Sequence, residues 1–168
     1  MTGTPGAEET ATEEHPRRWL KAGLMADRLS FRVRSVMALL GARVTEAFAP
    51  YGLRPGSFTS MALISANPGS SQIELARLGG LDKSSIVLII DDLVQRGYAV
   101  RAKSTEDRRR SSLFLTRAGE EVMAQMYTAA MATETSIRAE LGPDDMQQLF
   151  GLLDRVYAIL EREDPPID

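Results

Sequence analysis

The chain has 168 residues, 43% of them hydrophobic and 26% charged, a composition typical of a soluble globular protein. No apolar run approaches the roughly 20 residues of a membrane span, and no basic flank precedes an apolar stretch, so we expect a cytoplasmic protein without membrane contact. The chain has no cysteine and one histidine, His15. These counts exclude disulfides, thiolate chemistry and histidine-based metal sites, so we expect neither a cofactor nor a metal.

The net charge of −3 is unevenly distributed. Residues 1–14 carry −4 and residues 161–168 carry −3, which leaves +4 for residues 15–160. The sequence therefore predicts a mildly basic folded part between acidic tails. Residues 1–16 are predicted to be a disordered acidic tail, because they lack hydrophobic periodicity, and residues 163–168 to be a second tail.

The first long helix is predicted from apolar residues that recur at three- and four-residue steps after Asp27. They are Leu29, Val33, Val36, Met37, Leu40, Val44 and Phe48. Pro50 and Gly52 are expected to end this helix. Pro55 suits the first turn of a second helix, which Asn67-Pro68-Gly69 is expected to end.

Two short helices come next. Ser71 and Glu74 have the spacing of a capping box, which predicts a helix over residues 72–78. A pair of glycines then breaks the chain, and Asp82 is a suitable N-cap for a helix to about Arg96. This is a helix-turn-helix pattern. The second helix should bury Ile86, Ile89, Ile90 and Leu93 and expose Ser84, Leu88, Asp91 and Gln95.

A β-hairpin is predicted after Gly97, where the hydrophobic period changes to two. The alternating sets are Tyr98, Val100 and Ala102 against Ala99, Arg101 and Lys103. A second strand is predicted over residues 111–115, with a polar loop over residues 105–110. A hairpin directly after a helix-turn-helix is the wing of a winged helix.

The rest of the chain is predicted to be helical, with Thr116 as cap, a break at Gly142-Pro143 and a last helix from Asp144 to about Glu161. The terminal helices carry more apolar surface than a small winged-helix unit can cover, so we expect a dimer. The predicted fold is mainly α with a small β-hairpin. Its parts are N-terminal dimerisation helices over residues 17–50, a winged helix-turn-helix lobe over 51–116 and C-terminal dimerisation helices over 117–162.

Residues near the N-terminus of a helix placed in the major groove contact base edges. Here those residues are Lys83, Ser84, Ser85, Val87 and Leu88. The serines can bond bases or phosphates, and Leu88 can contact only an apolar group such as a thymine methyl. An amphipathic core helix with a polar outer face explains the helix alone equally well.

The predicted wing favours DNA. Five basic residues face two acidic ones over residues 101–110, a local charge of +3 whose long side chains can reach a minor groove. The basic residues are Arg101, Lys103, Arg108, Arg109 and Arg110. Asp107 lies two residues from Arg109 and can hold its guanidinium through a charge-assisted hydrogen bond.

Two stretches carry a family resemblance. They are Leu81-Asp82-Lys83-Ser84-Ser85 through Asp91-Asp92-Leu93, and Asp107-Arg108-Arg109 with Leu113-Phe114-Leu115-Thr116-Arg117-Ala118-Gly119. Here the chain resembles the MarR (multiple antibiotic resistance regulator) family, over about residues 27–160. The resemblance implies a homodimer on a pseudo-palindromic operator in double-stranded DNA, with recognition helices in successive major grooves and wings in the flanking minor grooves. Such proteins usually repress transcription.

The resemblance also assigns residues. The matching positions are Asp107 and Arg109 in the wing, Ser84 and Ser85 at the head of the recognition helix, and Ser71 and Gln72 at the phosphate-facing start of the preceding helix. Many members have an arginine in place of Leu88, so the base sequence recognised there should differ. Without cysteines or a histidine cluster, the thiol-oxidation and zinc-sensing branches are excluded.

Many members of the family release DNA when a small aromatic ligand binds between the dimerisation helices and the DNA-binding lobe. The resemblance thus implies an effector such as an aromatic acid or its thioester. Tyr51, Phe58 and Met61 fall near that junction, and Arg32 could supply a cation for an acidic ligand. Each of the four residues is also suited to a core or surface role.

Three alternatives remain. The first is a constitutive DNA-binding regulator without ligand, and the second is a winged-helix module for protein contacts without DNA function. The third, an enzyme, is disfavoured: its candidate acids, Asp91-Asp92 and Asp144-Asp145, are adjacent on helices, so they diverge by about 100° and do not converge on one substrate.

Overall fold

The computed structural model describes residues 23–103 and 111–163. The helices are α1 (Leu29–Phe48), α2 (Ser57–Ala66), α3 (Gln72–Gly79), α4 (Lys83–Gln95), α5 (Arg117–Thr133) and α6 (Thr135–Glu163), and the strands are β1 (Ala99–Lys103) and β2 (Ser111–Leu115). Within these residues, no helix has the length and apolar character needed to cross a bilayer. The predicted tail over residues 1–16, and the chain beyond Glu163, lie outside the described residues.

The chain forms two structural units, the first ending at Ala38 and the second beginning at Leu39. The described part of the first unit is a 3-10 turn, Gly23–Asp27, followed by the start of α1. Its predicted helical structure is confirmed. Apolar side chains on this segment are exposed, among them Val36 and Met37.

Helix α1 ends as predicted, in a 3-10 turn that contains Pro50 and is closed by Gly52 in a left-handed conformation. The prediction that Pro55 lies in the first turn of α2 is wrong. That helix begins at Ser57, because Gly56 takes a φ of 86°, a left-handed conformation that separates Pro55 from the helix.

The two short helices follow the prediction. Ser71 and Glu74 form the capping box at the start of α3, and Asp82 caps α4. The inner face of α4 is buried as expected, since Ile86, Ile89, Ile90 and Leu93 are at most 3% exposed. These side chains join a core with residues from α2, α3, both strands and α5, including Met61, Ile64, Leu75, Ala99, Leu113 and Met126.

The hairpin pairs β1 with β2 in antiparallel register, with Ala99 opposite Leu115. Its inner face carries the buried Ala99 and Leu113, whereas Val100 and Phe114 are exposed on the other face. The hairpin tip, residues 104–110, lies outside the described residues.

The segment before α3 is tied to the hairpin by two backbone hydrogen bonds. The amide of Gly69 donates to the carbonyl of Leu113 (2.8 Å), and the amide of Leu113 donates to the carbonyl of Ser70 (3.0 Å). The start of α3 is therefore fixed relative to the wing.

The start of α5 makes close contact with the chain before β1. Thr116 is the predicted cap: its Oγ1 accepts from the amide of Gly119 (3.1 Å) and donates to the carbonyl of Gly97 (2.6 Å). A Cβ atom on Gly119 would lie 2.0 Å from the carbonyl oxygen of Tyr98. Only glycine permits this approach.

The prediction of one helix from Thr116 to Gly142 is wrong, because α5 ends at Thr133. There the Thr133 hydroxyl donates to the carbonyl of Ala130 (2.7 Å), a local bond that competes with helical backbone bonds. The predicted break at Gly142 is confirmed, since its φ of 73° interrupts α6. Beyond it, α6 exposes Leu149, Phe150, Leu152, Leu153, Tyr157, Ile159 and Leu160.

Candidate nucleic-acid interface

The N-terminus of α4 is organised around the carboxylate of Asp82. Its Oδ1 accepts the backbone amides of Ser84 (3.0 Å) and Ser85 (2.9 Å). Both serine side chains bind the same group: the Ser84 hydroxyl donates to Oδ1, and the Ser85 hydroxyl donates to Oδ2 (2.5 Å). These hydrogen bonds hold the pKa of Asp82 well below its usual value, and the bond from the Ser84 hydroxyl has the largest effect. The carboxylate is therefore ionised at neutral pH.

The outer face of α4 carries the residues predicted to contact DNA. Lys83 and Ser84 are exposed and Ser85 is half-buried. Val87 and Leu88 are 41% and 53% exposed. None of the five belongs to the buried face, so the helix has both a core face and an accessible outer face.

The start of α3 offers fewer free donors than the sequence suggested. The backbone amide and the hydroxyl of Ser71 both donate to Oε2 of Glu74, at 2.7 Å and 2.8 Å. Within the part of the chain that the structure describes, the Gln72 side chain has no hydrogen-bond partner. Of the two predicted phosphate contacts, Gln72 therefore keeps its donors available.

The base of the wing is joined to α4 by an ion pair. Arg101, on β1, donates through Nη2 to Oδ1 of Asp91 (2.6 Å). Lys103 ends β1 opposite Ser111. The remaining predicted wing residues, Asp107, Arg108, Arg109 and Arg110, lie outside the described residues.

We expect Asp91→Asn to change the free energy of unfolding by less than about 1 kcal/mol, because the paired side chains are partly exposed. Its affinity for any duplex should rise about two- to fivefold, because a negative charge is removed and Arg101 is released. Thermal unfolding and titration of an unrelated duplex measure both effects. Glu163→Gln, the same charge change at an exposed position at the end of α6, is the control. Weaker binding by Asp91→Asn would mean that the ion pair positions Arg101 for DNA.

The residues predicted to bind an effector lie in both structural units. In the second unit, Phe48 contacts Tyr51 edge-on and lies 5.3 Å from Phe58 between ring centroids. Met61 is fully buried in the core. In the first unit, Arg32 is exposed and donates through Nε to the carbonyl of Ala26 (2.8 Å). The ligand set stays a prediction.

Comparison with known proteins decides the family. The family model described as the MarR family matches residues 51–110. Over 136 residues the chain is 34% identical to a putative transcriptional regulatory protein for the hcr operon of Thauera aromatica, covering 80% of this chain and 82% of that protein. The chain belongs to the MarR family.

Solved MarR family structures share the fold. The chain is similar to the transcriptional repressor CouR bound to a 23-mer DNA duplex, with a TM-score of 0.74, 28% identity, and coverage of 83% of this chain and 99% of CouR. Apo MarR from E. coli aligns with a TM-score of 0.66 at 20% identity, covering 76% of this chain and 95% of that one. A MarR family protein of Mycobacterium tuberculosis in complex with salicylic acid aligns with a TM-score of 0.63 at 23% identity, with the same coverage. The predicted winged-helix fold is confirmed.

Two features of this MarR family chain were not predicted. The Asp91–Arg101 ion pair joins residues that no local motif connects. A cavity of about 480 Å³ lies at the break in α6, lined by Arg138, Gly142, Pro143, Met146, Gln147 and Phe150. There Arg138 is paired with Glu134 (2.7 Å) and lies 5.9 Å from the ring centroid of Phe150. Gly142-Pro143, interpreted only as a helix break, was the sole signal in the sequence.

Proposed function

We propose that this MarR family chain is a homodimeric transcriptional repressor that binds a pseudo-palindromic operator and leaves it when a small acidic aromatic ligand binds. The observation that carries the DNA contact is the outer face of α4. That face stays accessible while the opposite face is buried, on a helix held at its start by Asp82. The chain that carries this face is 28% identical to a repressor bound to a DNA duplex.

The residues on α4 suit a major groove. Lys83 provides a cation for phosphate or guanine, and the Ser84 and Ser85 side chains are short enough to allow close approach. Leu88 contacts an apolar group, of which the thymine methyl is the one available on base edges. At the neighbouring helix, Gln72 contacts a phosphate.

The wing supplies most of the electrostatic attraction. Residues 101–110 carry a local charge of +3, although the whole chain carries −3. In this proposal Arg108, Arg109 and Arg110 contact the minor groove and its phosphates, and Asp107 orients Arg109. Arg101 and Lys103 extend the basic stripe along β1.

A second copy of the chain covers the apolar helices. Val36 and Met37 of α1, and Leu153 and Tyr157 of α6, are among the large side chains exposed in one protomer. Removal of such apolar surface from water favours association. We assign residues 17–50 and 117–162 to dimerisation and residues 51–116 to DNA binding. Each of the two DNA-binding lobes of the dimer then occupies one half-site of the operator. We place the protein in the cytoplasm.

The proposed effector is an acidic aromatic ligand. In the second unit, the aromatic side chains of Tyr51 and Phe58 offer stacking surface for such a ligand. Arg32, in the first unit, stays a predicted cation for a carboxylate. Because Met61 is fully buried, a ligand reaches it only if the core around α2 repacks. If the protein instead binds DNA constitutively, without a ligand, the proposed dimer, operator and DNA contacts are unchanged.

Selection of bound sequences from random duplexes by the full-length protein tests the proposal. We expect a pseudo-palindrome whose half-sites are separated by about 10 base pairs, as two related recognition helices require. Aromatic acids and their thioesters are then screened for release of that operator. Failure to enrich any duplex would favour a winged-helix module for protein contacts, whereas enrichment without release would favour a constitutive regulator.

A further inference from the structure

We infer that Asp82 determines base specificity, because it engages the hydroxyl protons of Ser84 and Ser85 and leaves both oxygens able only to accept hydrogen bonds. The nucleotides under the start of α4 should then carry an amino group, adenine N6 or cytosine N4. This inference rests on the proposed function, since it concerns how α4 recognises DNA.

A hydroxyl has one proton to donate and two lone pairs that accept. In the structure both hydroxyl protons and both serine backbone amides are directed to the Asp82 carboxylate. What Ser84 and Ser85 present outward is therefore acceptor capacity.

The hydrogen bonds from the two serine hydroxyls to Asp82 are strong ones. A hydroxyl bound to a carboxylate forms a charge-assisted bond, which is stronger than a bond to a neutral base oxygen or nitrogen. The Asp82 side chain stays ionised at neutral pH, because the same hydrogen bonds lower its pKa. Rotating either hydroxyl toward guanine O6, thymine O4 or a phosphate exchanges the stronger bond for a weaker one, or brings the hydroxyl between two anions.

The chemistry of the major groove then gives the preference. Adenine and cytosine each present an amino donor there, whereas the keto bases guanine and thymine present only acceptors for hydrogen bonds. The serine oxygens, which can only accept hydrogen bonds, therefore distinguish amino bases from keto bases at the nucleotide that they contact. Lys83, which only donates, takes the complementary role toward phosphate or guanine.

The capping box of α3 shows the same arrangement. The Ser71 hydroxyl donates to Glu74 (2.8 Å), as the α4 serines donate to Asp82. The same reasoning makes Ser71 a poor donor to phosphate.

The test begins with the operator selected by the unmodified protein. Affinities are measured by fluorescence anisotropy for single base-pair changes across each half-site. We expect one or two positions where adenine or cytosine is preferred over guanine and thymine by about fivefold, the discrimination of one hydrogen bond. Ser84→Ala and Ser85→Ala should each abolish the preference at a single position.

Asp82→Asn is the decisive variant. Asparagine is an equally good N-cap, so the helix is retained, but its neutral amide holds the hydroxyls less strongly and frees them to donate. The amino-base preference should fall below about twofold. Glu163→Gln, the same charge change at an exposed residue outside the assigned dimerisation helices, should leave the profile unchanged. Circular dichroism of each variant checks the fold.

Base analogues locate the contacted atom. Purine in place of adenine, or 2-pyrimidinone in place of cytosine, removes only the amino group at the preferred position. This change should weaken the unmodified protein about fivefold and leave the matching serine-to-alanine variant unaffected.

Three results would overturn the inference while leaving DNA binding intact. They are a keto-base preference under Ser84 or Ser85, an unchanged base profile in Asp82→Asn, and an equal loss of affinity on all duplexes in the serine variants, which marks a phosphate contact. Absence of any selected duplex would instead overturn the proposed function.

Discussion

Gly119→Ala is expected to lower the free energy of unfolding by about 3 kcal/mol and the melting temperature by roughly 10 °C. The added Cβ would lie 2.0 Å from the carbonyl oxygen of Tyr98, which itself accepts the amide of Thr116 (3.0 Å). Backbone must therefore move at the joint between β1, β2 and α5. Thermal and urea unfolding of the variant measure the loss.

Gly151→Ala is the matched control. A Cβ at Gly151, within α6, meets no heavy atom within 4 Å. Because alanine is the better helix former, this change should raise stability by about 0.5–1 kcal/mol. If the two variants unfold alike, the joint at Gly119 adjusts without cost and the close approach has no structural role.

Arg109→Ala should weaken operator binding about tenfold or more and lower the salt dependence by about one unit, while the dimer stays folded. Arg109 lies outside the described residues, so the basis is the +3 charge of residues 101–110 and the position of Arg109 in the sequence between the paired strands β1 and β2. Anisotropy titration at several salt concentrations measures both quantities.

Arg155→Ala removes the same charge from a position of α6 that is exposed in one protomer. Once gel filtration shows that this variant is still a dimer, its affinity should stay within about twofold. Equal losses from both substitutions would show that overall charge, rather than the wing, governs binding. An unchanged affinity in Arg109→Ala would remove this residue from the interface.

The elements that the sequence predicted well are those with local signals. The capping box of Ser71 and Glu74, the N-cap at Asp82 and the break at Gly142 each depend on a few neighbouring residues, and all three are confirmed. The period-two pattern likewise predicted a hairpin whose strands pair in antiparallel register.

The two wrong predictions concern helix boundaries, and at each boundary another local interaction opposes the residue preference on which the prediction was based. Pro55 suits a helical first turn, but Gly56 takes the left-handed conformation first. The apolar periodicity after Thr116 continued through Glu134, although the helix ends there. A hydrophobic period reports which side of a helix is buried and is insensitive to a one-residue interruption.

The sequence predicted which residues of α4 face outward in the candidate interface, but it did not predict which of the interface side chains pair with one another. The sequence placed Lys83, Ser84 and Leu88 on one outer face, which the structure retains. It could not show that Arg101 pairs with Asp91, because the pair depends on how the hairpin lies on α4. The wing tip and the effector residues remain predictions.

The central claim is that this member of the MarR family binds duplex DNA through α4 and the wing. The most direct test is the affinity of the unmodified protein for its selected operator as a function of salt concentration. We expect log K to fall linearly with log salt, with a slope of about −5 or steeper, as neutralisation of several phosphates requires. A flat dependence, or no measurable association at low salt, would contradict it.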